Sequence, residues 1–358
     1  MGRDGRRMNK VREAAEKLKQ RNDLGRAEAG ALMEELLSGT VSDADTMAFL
    51  VALGEKGEQP EELVGFAEVM RGRAWELVAG AGVGWESIHD GRTLLDTCGT
   101  GGDGRGTINV STATALVAAA AGVRVAKHGN RSISSRSGSA DVLEALGVAI
   151  ALPLQEIPRC LEEVGMVFLF APELHLAMKH VMNARRALKT RTVFNLLGPL
   201  TNPLGATAQL VGLYDRARTA TYARALLEVG TERAFVVAGY DGLDEISTTG
   251  PTQLSEAEAG AVSTRDVTPE DFDLARADPN ALQGGDPAQN AEAIRAILGG
   301  QRGPLRDLVV ANASAALVVA GKANSFPEGA SLAAGVIDSG AAWRKLEALA
   351  AFTQRYRA

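Results

Sequence analysis

The stretch that decides the fold spans residues 94–112 and has the sequence LLDTCGTGGDGRGTINVST. Its first residues complete an apolar run, which predicts a buried strand, and the alanine-rich segment that Ser111 is expected to cap predicts a helix up to Gly122. The five glycines between them permit positive φ angles and let backbone N–H groups approach a ligand. Such amides at a helix start favour an anion, above all a phosphate. A flexible surface turn is the alternative, but nearby Asp, Asn, Ser and Thr side chains supply oxygen atoms suited to magnesium or a ribose.

The composition excludes several classes of protein. A chain of 358 residues predicts two domains, or one large α/β domain with an appendage. Its formal charge of −6 and its 4% of aromatic residues argue against a nucleic-acid or membrane-surface partner. Two cysteines fit a reducing cytosol, so we expect a cytoplasmic protein. No run of about 18 apolar residues predicts a membrane span, and the start MGRDGRRMNK is not followed by the apolar segment of a signal peptide.

Residues 1–85 are predicted to form a small all-helical domain without chemistry of its own. Apolar residues recur there at helical spacing, and about four helices are expected. Ser42 followed by Asp45 is typical of a helix start, as is Pro60 at the first position of the next helix. The glycine-rich residues 80–91 predict a connection to the rest of the chain.

Residues 92–358 are predicted to form a large α/β domain, because strands alternate with helices from residue 93 onward. This pattern predicts a mainly parallel central sheet flanked by helices. Strands are expected at 93–96, 123–126, 166–170, 208–214 and 234–238, with irregular or antiparallel strand at 252–266. Helices are expected near 111–121, 139–146, 154–164, 173–187, 216–229, 304–320 and 328–352. Right-handed crossovers would bring the loops at 97–110, 127–138 and 239–250 to one edge of the sheet, where open α/β proteins bind ligands.

The second loop, KHGNRSISSRSGSAD at residues 127–141, concentrates basic and hydroxyl side chains. Charge-assisted hydrogen bonds from basic side chains bind phosphate strongly. A solvated turn is the alternative for such a loop taken alone. Its position opposite the glycine loop favours the phosphate site. The cations in question are Lys127, Arg131 and Arg136, the hydroxyls are Ser132, Ser134 and Ser135, and His128 and Asn130 are expected to face the same space.

A basic segment, NARRALKTRT, follows a predicted helix at residues 183–192. If that helix continues, Arg185 and Lys189 lie on one face and Arg186 is turned away. A planar guanidinium binds a carboxylate in bidentate fashion, so Arg185 is a candidate ligand contact. A solvated basic face remains the alternative.

The loop GYDGLDEIS at residues 239–247 places two acids, Asp244 and Glu245, next to each other after a predicted strand. Adjacent carboxylates are poor geometry for a glycosidase but suit magnesium held with water and phosphate oxygens. The alternative is a pair of solvated acids.

The four histidines show no zinc-ligand spacing. Neither a serine-hydrolase elbow nor a P-loop is present.

In this order, DTCGTGGDGRGTINVST, KHGNRSISSRSGSADVLEALG, RTVFNLLGPLTNP and GYDGLDEISTTGPTQLSE resemble the anthranilate phosphoribosyltransferase family of tryptophan biosynthesis. The resemblance extends over about residues 24–349. It implies transfer of a phosphoribosyl group from 5-phosphoribosyl 1-pyrophosphate to the amine of anthranilate, with Mg2+ as cofactor. It also implies a homodimer whose active site lies at the hinge between a small helical and a large α/β domain, with part of 172–190 returning to the helical domain.

The resemblance further implies roles for individual residues, none of them as an acid or base. Those matched to phosphoribosyl pyrophosphate are Gly99, Thr100, Gly101, Gly102, Asp103, Thr107, Asn109, Ser111, Thr112, Lys127 and Ser139. Those matched to anthranilate are Gly99, His128, Asn130 and Arg185, with Arg185 facing its carboxylate. Those matched to magnesium are Ser111, Asp244 and Glu245. The chain departs from the family pattern at Leu176, where proline is expected, and at Lys189, where glycine is expected.

The implied reaction needs no strong base, because an aromatic amine is neutral and nucleophilic near pH 7. Holding the two substrates and neutralising the departing pyrophosphate should supply most of the catalysis, with closure of the domains excluding water. One rival is a pyrimidine nucleoside phosphorylase, and another is a non-catalytic relative that binds nucleic acid. The acidic pair and the KHGN segment favour the transferase over the first, and the acidic chain with its intact loops argues against the second.

Overall fold

The structure, a computed structural model, describes residues 10–132 and 136–357. Expectations for the first nine residues and for Ser134 and Ser135 fall outside these ranges. No described helix is long and apolar enough to cross a membrane.

Four helices begin the described chain, as the spacing of apolar residues predicts. They are α1 (Lys10–Lys19), α2 (Arg26–Leu37), α3 (Asp43–Lys56) and α4 (Pro60–Gly80). The Ser42 hydroxyl accepts a hydrogen bond from the Asp45 backbone at 3.2 Å, which confirms the predicted cap of α3. Helix α2 packs on α4, and α1 packs on α3. Their buried faces are rich in Leu, Ala and Phe and belong to an apolar cluster that also includes residues of the sheet. A four-residue helix, α5 (Trp85–Ile88), lies in the connection that follows.

A seven-stranded sheet forms the centre of the large part of the molecule, with strand order β3-β2-β1-β4-β5-β6-β7. The first five strands pair in parallel, and the last two pair antiparallel. The five predicted parallel strands and the antiparallel pair are therefore confirmed. The strands are β1 (Leu94–Gly99), β2 (Arg124–Gly129), β3 (Met166–Phe170), β4 (Ala208–Gly212), β5 (Arg233–Gly239), β6 (Thr252–Glu258) and β7 (Ala261–Val267).

Strands β1 and β2 extend further at their carboxyl ends than the apolar pattern predicts. These ends form the edge of the sheet at which ligands are expected, called the ligand edge below. Asp96, Thr97, Lys127 and His128 are strand residues with buried side chains. Buried polar groups need hydrogen-bond partners, and these residues find them in one another and in neighbouring backbone. The chemistry of the site therefore begins inside the sheet.

Helices flank the sheet, and several differ from the prediction. The helix expected at 173–187 is wrong as a single unit, since the chain forms two short helices with a 3-10 turn, Leu176–His180, between them. The helix expected at 328–352 breaks at Gly340, whose φ is 71°. Among the described helices, three were not predicted from the pattern, namely α5, α11 and α13. The full set is α6 (Val110–Ala120), α7 (Ser139–Ala145), α8 (Ile157–Glu163), α9 (Ala171–Leu174), α10 (Met182–Leu188), α11 (Val193–Leu200), α12 (Thr219–Glu228), α13 (Pro287–Leu298), α14 (Pro304–Val319), α15 (Phe326–Asp338) and α16 (Ala341–Gln354).

The apolar core joins the helical bundle to one face of the sheet. Phe49 of α3, Val181 before α10, Leu196 of α11 and Val236 of β5 belong to the same buried cluster. A second cluster fills the space between the sheet and helices such as α6 and α14. The segment before α11 therefore lies between the bundle and the ligand edge of the sheet.

The tight approach of β4 to the loop after β5 gives a first prediction. A Cβ atom at Gly212 would lie 1.6 Å from the backbone oxygen of Asp244. We expect Gly212→Ala to lower the free energy of unfolding by about 1–3 kcal/mol, as overpacking does. At Gly54, inside α3, a Cβ would have no neighbour within 4 Å, so Gly54→Ala should raise the same quantity by about 0.5–1 kcal/mol. Denaturant unfolding followed by circular dichroism measures both, and a wild-type stability for Gly212→Ala would contradict the packing described.

Candidate active site

The three loops that the sequence predicts to converge do meet at the carboxyl end of the sheet. The Gly101 backbone donates to Asp244 Oδ2 at 3.0 Å, which joins the loop after β1 to the loop after β5. The Asn109 side-chain amide donates to the Ser137 backbone oxygen at 3.0 Å, which joins the first loop to the loop after β2. These contacts form one continuous wall at the edge where parallel sheets bind ligands.

The glycine loop has a backbone that only glycine adopts readily. Gly101, Gly102, Gly104 and Gly106 have φ angles between 66° and 77°. At Gly99, whose φ is ordinary, a Cβ would instead lie 2.7 Å from Asp244 Oδ2. The next residue, Thr100, donates its backbone N–H to Gly212 O at 2.9 Å. The far end of the loop is held by a bridge between Thr107 and Gln283.

Three carboxyl groups lie at the base of this loop. Burial, followed by the charge and hydrogen bonding of Asp103, raises the pKa of Asp244 to about 7. Burial and then the charge of Asp244 raise the pKa of Glu245 well above its usual value, which Lys127 opposes. Asp103 Oδ2 is buried and accepts no hydrogen bond from the described residues. The acids therefore repel one another in the absence of a cation.

This donor set fits magnesium. Mg2+ prefers oxygen ligands and is commonly held by one or two carboxylates plus water and phosphate oxygens. Among the residues that the structure describes, no group of three His, Cys, Asp or Glu side chains is placed to hold a metal ion by itself. Asp103, Asp244 and Glu245 lie in one acidic cluster, where a magnesium ion would need further oxygen ligands from water or a phosphate.

Lys127 is the buried cation of the site. Its side chain is 1% exposed, and burial lowers its pKa, an effect that Asp96 opposes. Its Nζ donates to the Thr97 backbone oxygen and, at 3.2 Å, to Ser111 Oγ. The expected capping role of Ser111 is wrong, because α6 begins one residue earlier and Asn109 occupies the N-cap without a side-chain bond. The Ser111 hydroxyl instead lies between Lys127 and the acids.

Asn109 holds three segments together. Its Oδ1 accepts from Ser137 Oγ and from Asn290 Nδ2, each at 3.0 Å, while its Nδ2 donates to Ser137 O. Asn290 in turn accepts from the Gly285 backbone at 2.7 Å. Thr112, one turn further into α6, is fully buried, and its Oγ1 has no hydrogen-bond partner.

A buried polar network fixes His128. Asp96, fully buried, accepts from the His128 backbone at 3.1 Å and from Asn202 Nδ2 at 2.8 Å. His128 Nδ1 lies 3.1 Å from the Gly198 oxygen, and its Nε2 lies 3.3 Å from Nε2 of His175. Burial lowers the pKa of both rings, for His175 to about 3. Neutral His128 therefore carries its proton on Nδ1, facing the Gly198 carbonyl, and Nε2 is its acceptor nitrogen.

The remaining residues of the second loop interact mainly with each other. Asn130 and Ser139 exchange hydrogen bonds at 3.2 Å, and Ser139 Oγ would lie 2.2 Å from a Cβ at Gly129. Arg131, expected to meet phosphate, is engaged by Asp141 at 3.0 Å and by Glu144. Arg136 is exposed. Lys127 is the cation of this loop that contacts a predicted site residue, Ser111.

Arg185 is half-buried on α10 and forms no salt bridge with a described residue. Its guanidinium lies over the Phe194 ring at 5.1 Å, and burial lowers its pKa. The expectation that Arg185 and Lys189 share a helix face is wrong, because α10 ends at Leu188 and Lys189 has a left-handed φ of 53°. That conformation accounts for the glycine expected at this position.

Four contributors to the site were not singled out from the sequence. Asp96, His175 and Asn202 build the network around His128, and Arg191 lies against the glycine loop. The polar residues inside β1 and β2 were the available signal for Asp96, since a buried strand rarely carries an unpaired acid. The others come from segments far away in sequence, and no local pattern marks them.

Comparison with known proteins gives matches over almost the whole chain. The glycosyl transferase family model for the a/b domain matches residues 91–343, and that for the helical bundle domain matches residues 12–74. Anthranilate phosphoribosyltransferase of Solibacter usitatus is 53% identical over 336 residues, which is 94% of this chain and 96% of the relative.

Solved structures agree with these matches. The anthranilate phosphoribosyltransferase of Thermus thermophilus has a TM-score of 0.85 at 43% identity, covering 95% of this chain and 99% of its own. The Saccharomyces cerevisiae protein in complex with PRPP and Mg has a TM-score of 0.84 at 26% identity, covering 96% and 98%. Another structure of the yeast protein is a complex with 4-fluoroanthranilate.

The raised pKa of Asp244 predicts how stability depends on pH when divalent cations are absent. Its ordinary value is 3.8 and its folded value is about 7. Its favourable contribution is therefore fully present below pH 4 and is lost as the pH rises through 7. In EDTA, the denaturant midpoint of the wild-type protein should fall between pH 5 and pH 8. The midpoint of Asp244→Asn should fall less over the same interval. Equal changes in the two proteins would contradict the acid cluster.

Proposed function

We infer the function of this chain from the family to which it belongs, the anthranilate phosphoribosyltransferases within the glycosyl transferase family. The protein is an enzyme that transfers the phosphoribosyl group of 5-phosphoribosyl 1-pyrophosphate to the amine of anthranilate. The products are N-(5-phosphoribosyl)anthranilate and pyrophosphate, in the pathway to tryptophan. The relatives support this activity and not the nucleoside phosphorylase or nucleic-acid-binding alternatives. In this structure, the observation that supports the activity is the convergence of the glycine loop, Lys127 and the acidic pair at one edge of the sheet.

The donor is proposed to bind along the glycine loop and the start of α6. Backbone N–H groups of the loop and the buried Lys127 would supply positive potential there, and Asn109 keeps the loop in place. Thr112 and Ser139 have less support, since the first is fully buried and the second is engaged by Asn130. The complete proposed set is Gly99, Thr100, Gly101, Gly102, Asp103, Thr107, Asn109, Ser111, Thr112, Lys127 and Ser139.

Magnesium is proposed as the cofactor, as in the yeast relative's complex. Asp244, Glu245 and Ser111 would hold it, and we add Asp103 because its buried Oδ2 has no donor. When bound, magnesium supplies positive charge to the departing pyrophosphate. The chain's own contribution is to keep the acids close together and ready to release a proton, because Asp244 has a pKa of about 7.

Anthranilate is proposed to bind where α10 faces the sheet, with Arg185 on its carboxylate. Arg185 is partly desolvated and forms no salt bridge with a described residue, so its charge is available to a ligand. Gly99, Asn130 and His128 complete this proposed set. His128 is held at both ring nitrogens, by the Gly198 oxygen and by His175, so it would line this side of the site without donating a proton to the amine.

Catalysis is then mainly a matter of positioning. The amine is nucleophilic without a base, and its lone pair forms the bond to the anomeric carbon as the bond to pyrophosphate breaks. Lys127 and the loop amides stabilise charge on the leaving group. The glycine loop and the segment before α11 border the reacting groups from the two sides and exclude water.

The remaining features follow the same inference. We propose a cytoplasmic homodimer. We also propose a helical domain at residues 1–85, to which part of 172–190 returns, and an α/β domain at 92–358. The buried packing of Val181 with Phe49 supports the return of that segment to the bundle.

The activity is tested by mixing the protein with anthranilate, 5-phosphoribosyl 1-pyrophosphate and magnesium and following anthranilate fluorescence. We expect the signal to fall and pyrophosphate to accumulate in equal amounts, and EDTA to stop both. Unchanged fluorescence and no pyrophosphate would refute the proposed function.

The role of Arg185 predicts a selective loss of anthranilate binding. Removing a charge-assisted bidentate contact worth about 1.5–3 kcal/mol should raise the anthranilate KM of Arg185→Ala by about 10- to 100-fold. The KM of the phosphoribosyl donor should change less than about 3-fold, because no proposed donor contact is removed. Arg186→Ala, one residue along α10 and exposed, is the matched control. Equal effects on both substrates would contradict the assignment.

A further inference from the structure

Arg191 lies against the glycine loop, although it comes from the segment between α10 and α11. A Cβ at Gly102 would lie 2.9 Å from Arg191 Nη2, 3.3 Å from Nε and 3.4 Å from Cζ. The guanidinium therefore occupies the space that any side chain at position 102 would take. Glycine at this position serves two purposes, since it adopts a φ of 77° and also makes room for a cation.

The guanidinium of Arg191 is held by stacking. Its Cζ lies 3.6 Å from the centre of the Tyr214 ring, and Tyr214 follows β4, the strand beside β1 in the sheet. Such a stack fixes the plane of the group while its N–H donors stay available in that plane. Less conformational entropy is then lost when an anion binds.

No acid neutralises Arg191. It forms no salt bridge with any residue in the described ranges, although Asp103 is the next residue after Gly102. Arg131, by contrast, is engaged by Asp141 and Glu144. An exposed, stacked and unpaired arginine beside a loop built from glycine has the properties of an anion-binding group.

We propose that Arg191 binds the pyrophosphate group of the donor and positions it at the glycine loop, a role that rests on the proposed function. The diphosphate is the expected partner because Gly102 adjoins Asp103, and magnesium at the acids would hold diphosphate oxygens. Arg191 supplies a second cation for the leaving group.

Arg185 lies on α10, and Arg191 lies in the four-residue segment, 189–192, that joins α10 to α11. Neighbouring parts of the chain therefore contact the glycine loop, through Arg191, and carry the residue proposed to bind anthranilate, Arg185.

The test is calorimetric titration of inorganic pyrophosphate into protein saturated with magnesium. We expect Arg191→Gln to weaken binding about 10- to 100-fold and Arg191→Lys to lie in between, since lysine keeps the charge but not the planar group. Arg216→Gln is the matched control, because Arg216 stacks on Tyr240 in the same way, with Cζ 3.8 Å from the ring centre. The control should change binding less than 2-fold. In kinetics, Arg191→Gln should raise the KM of the donor and leave that of anthranilate within about 3-fold.

Wild-type affinity for pyrophosphate in Arg191→Gln would overturn the proposal. Ribose 5-phosphate is titrated in parallel, and a variant that loses affinity for this compound alone would overturn the proposal as well. A wild-type protein that neither binds pyrophosphate nor forms product would instead refute the proposed function itself. The two failures are therefore distinguishable.

Discussion

Asp103 and Asp244 are held together at the end of β1, and the rest of the site depends on this contact between like charges. Close packing enforces it, because Gly99 and Gly212 leave room for Asp244 and its backbone, and Gly101 donates to its carboxylate. Burial, together with the charge and hydrogen bonding of Asp103, raises the pKa of Asp244 to about 7. A cation bound beside these acids would offset the repulsion between them.

The same constraint explains where the positive groups lie. Lys127 reaches the acids from inside the sheet, buried and tied to Thr97 and Ser111. Arg191 approaches the loop from outside and stays unpaired. Between them a diphosphate would meet cations on both sides, while Asn109 prevents the loop from moving away. The buried acids are expected to lower stability at the point where a bound ligand would restore it, as is common at functional sites.

Much of this was predictable from the sequence, and the exceptions have physical causes. The parallel strands and the meeting of their loops followed from apolar runs and chain order, since crossover handedness leaves few alternatives. Helix α11 was missed because its sequence contains Gly198 and Pro199, which are typical of turns. The continuous helix before it failed at Lys189, whose left-handed backbone no local signal indicated. Arg191 was not predictable as a site residue, because its neighbours Gly102 and Tyr214 are distant in sequence.

The central claim, that the acids at the glycine loop form the cation site of the phosphoribosyl donor, is tested most directly by crystallography with Mn2+ in place of magnesium. Crystals grown with Mn2+ and the donor should show an anomalous peak bounded by carboxylate oxygens of Asp244 or Glu245 and by pyrophosphate oxygens, with Asp103 beside it. A bound donor whose metal lies away from all three acids would contradict the account.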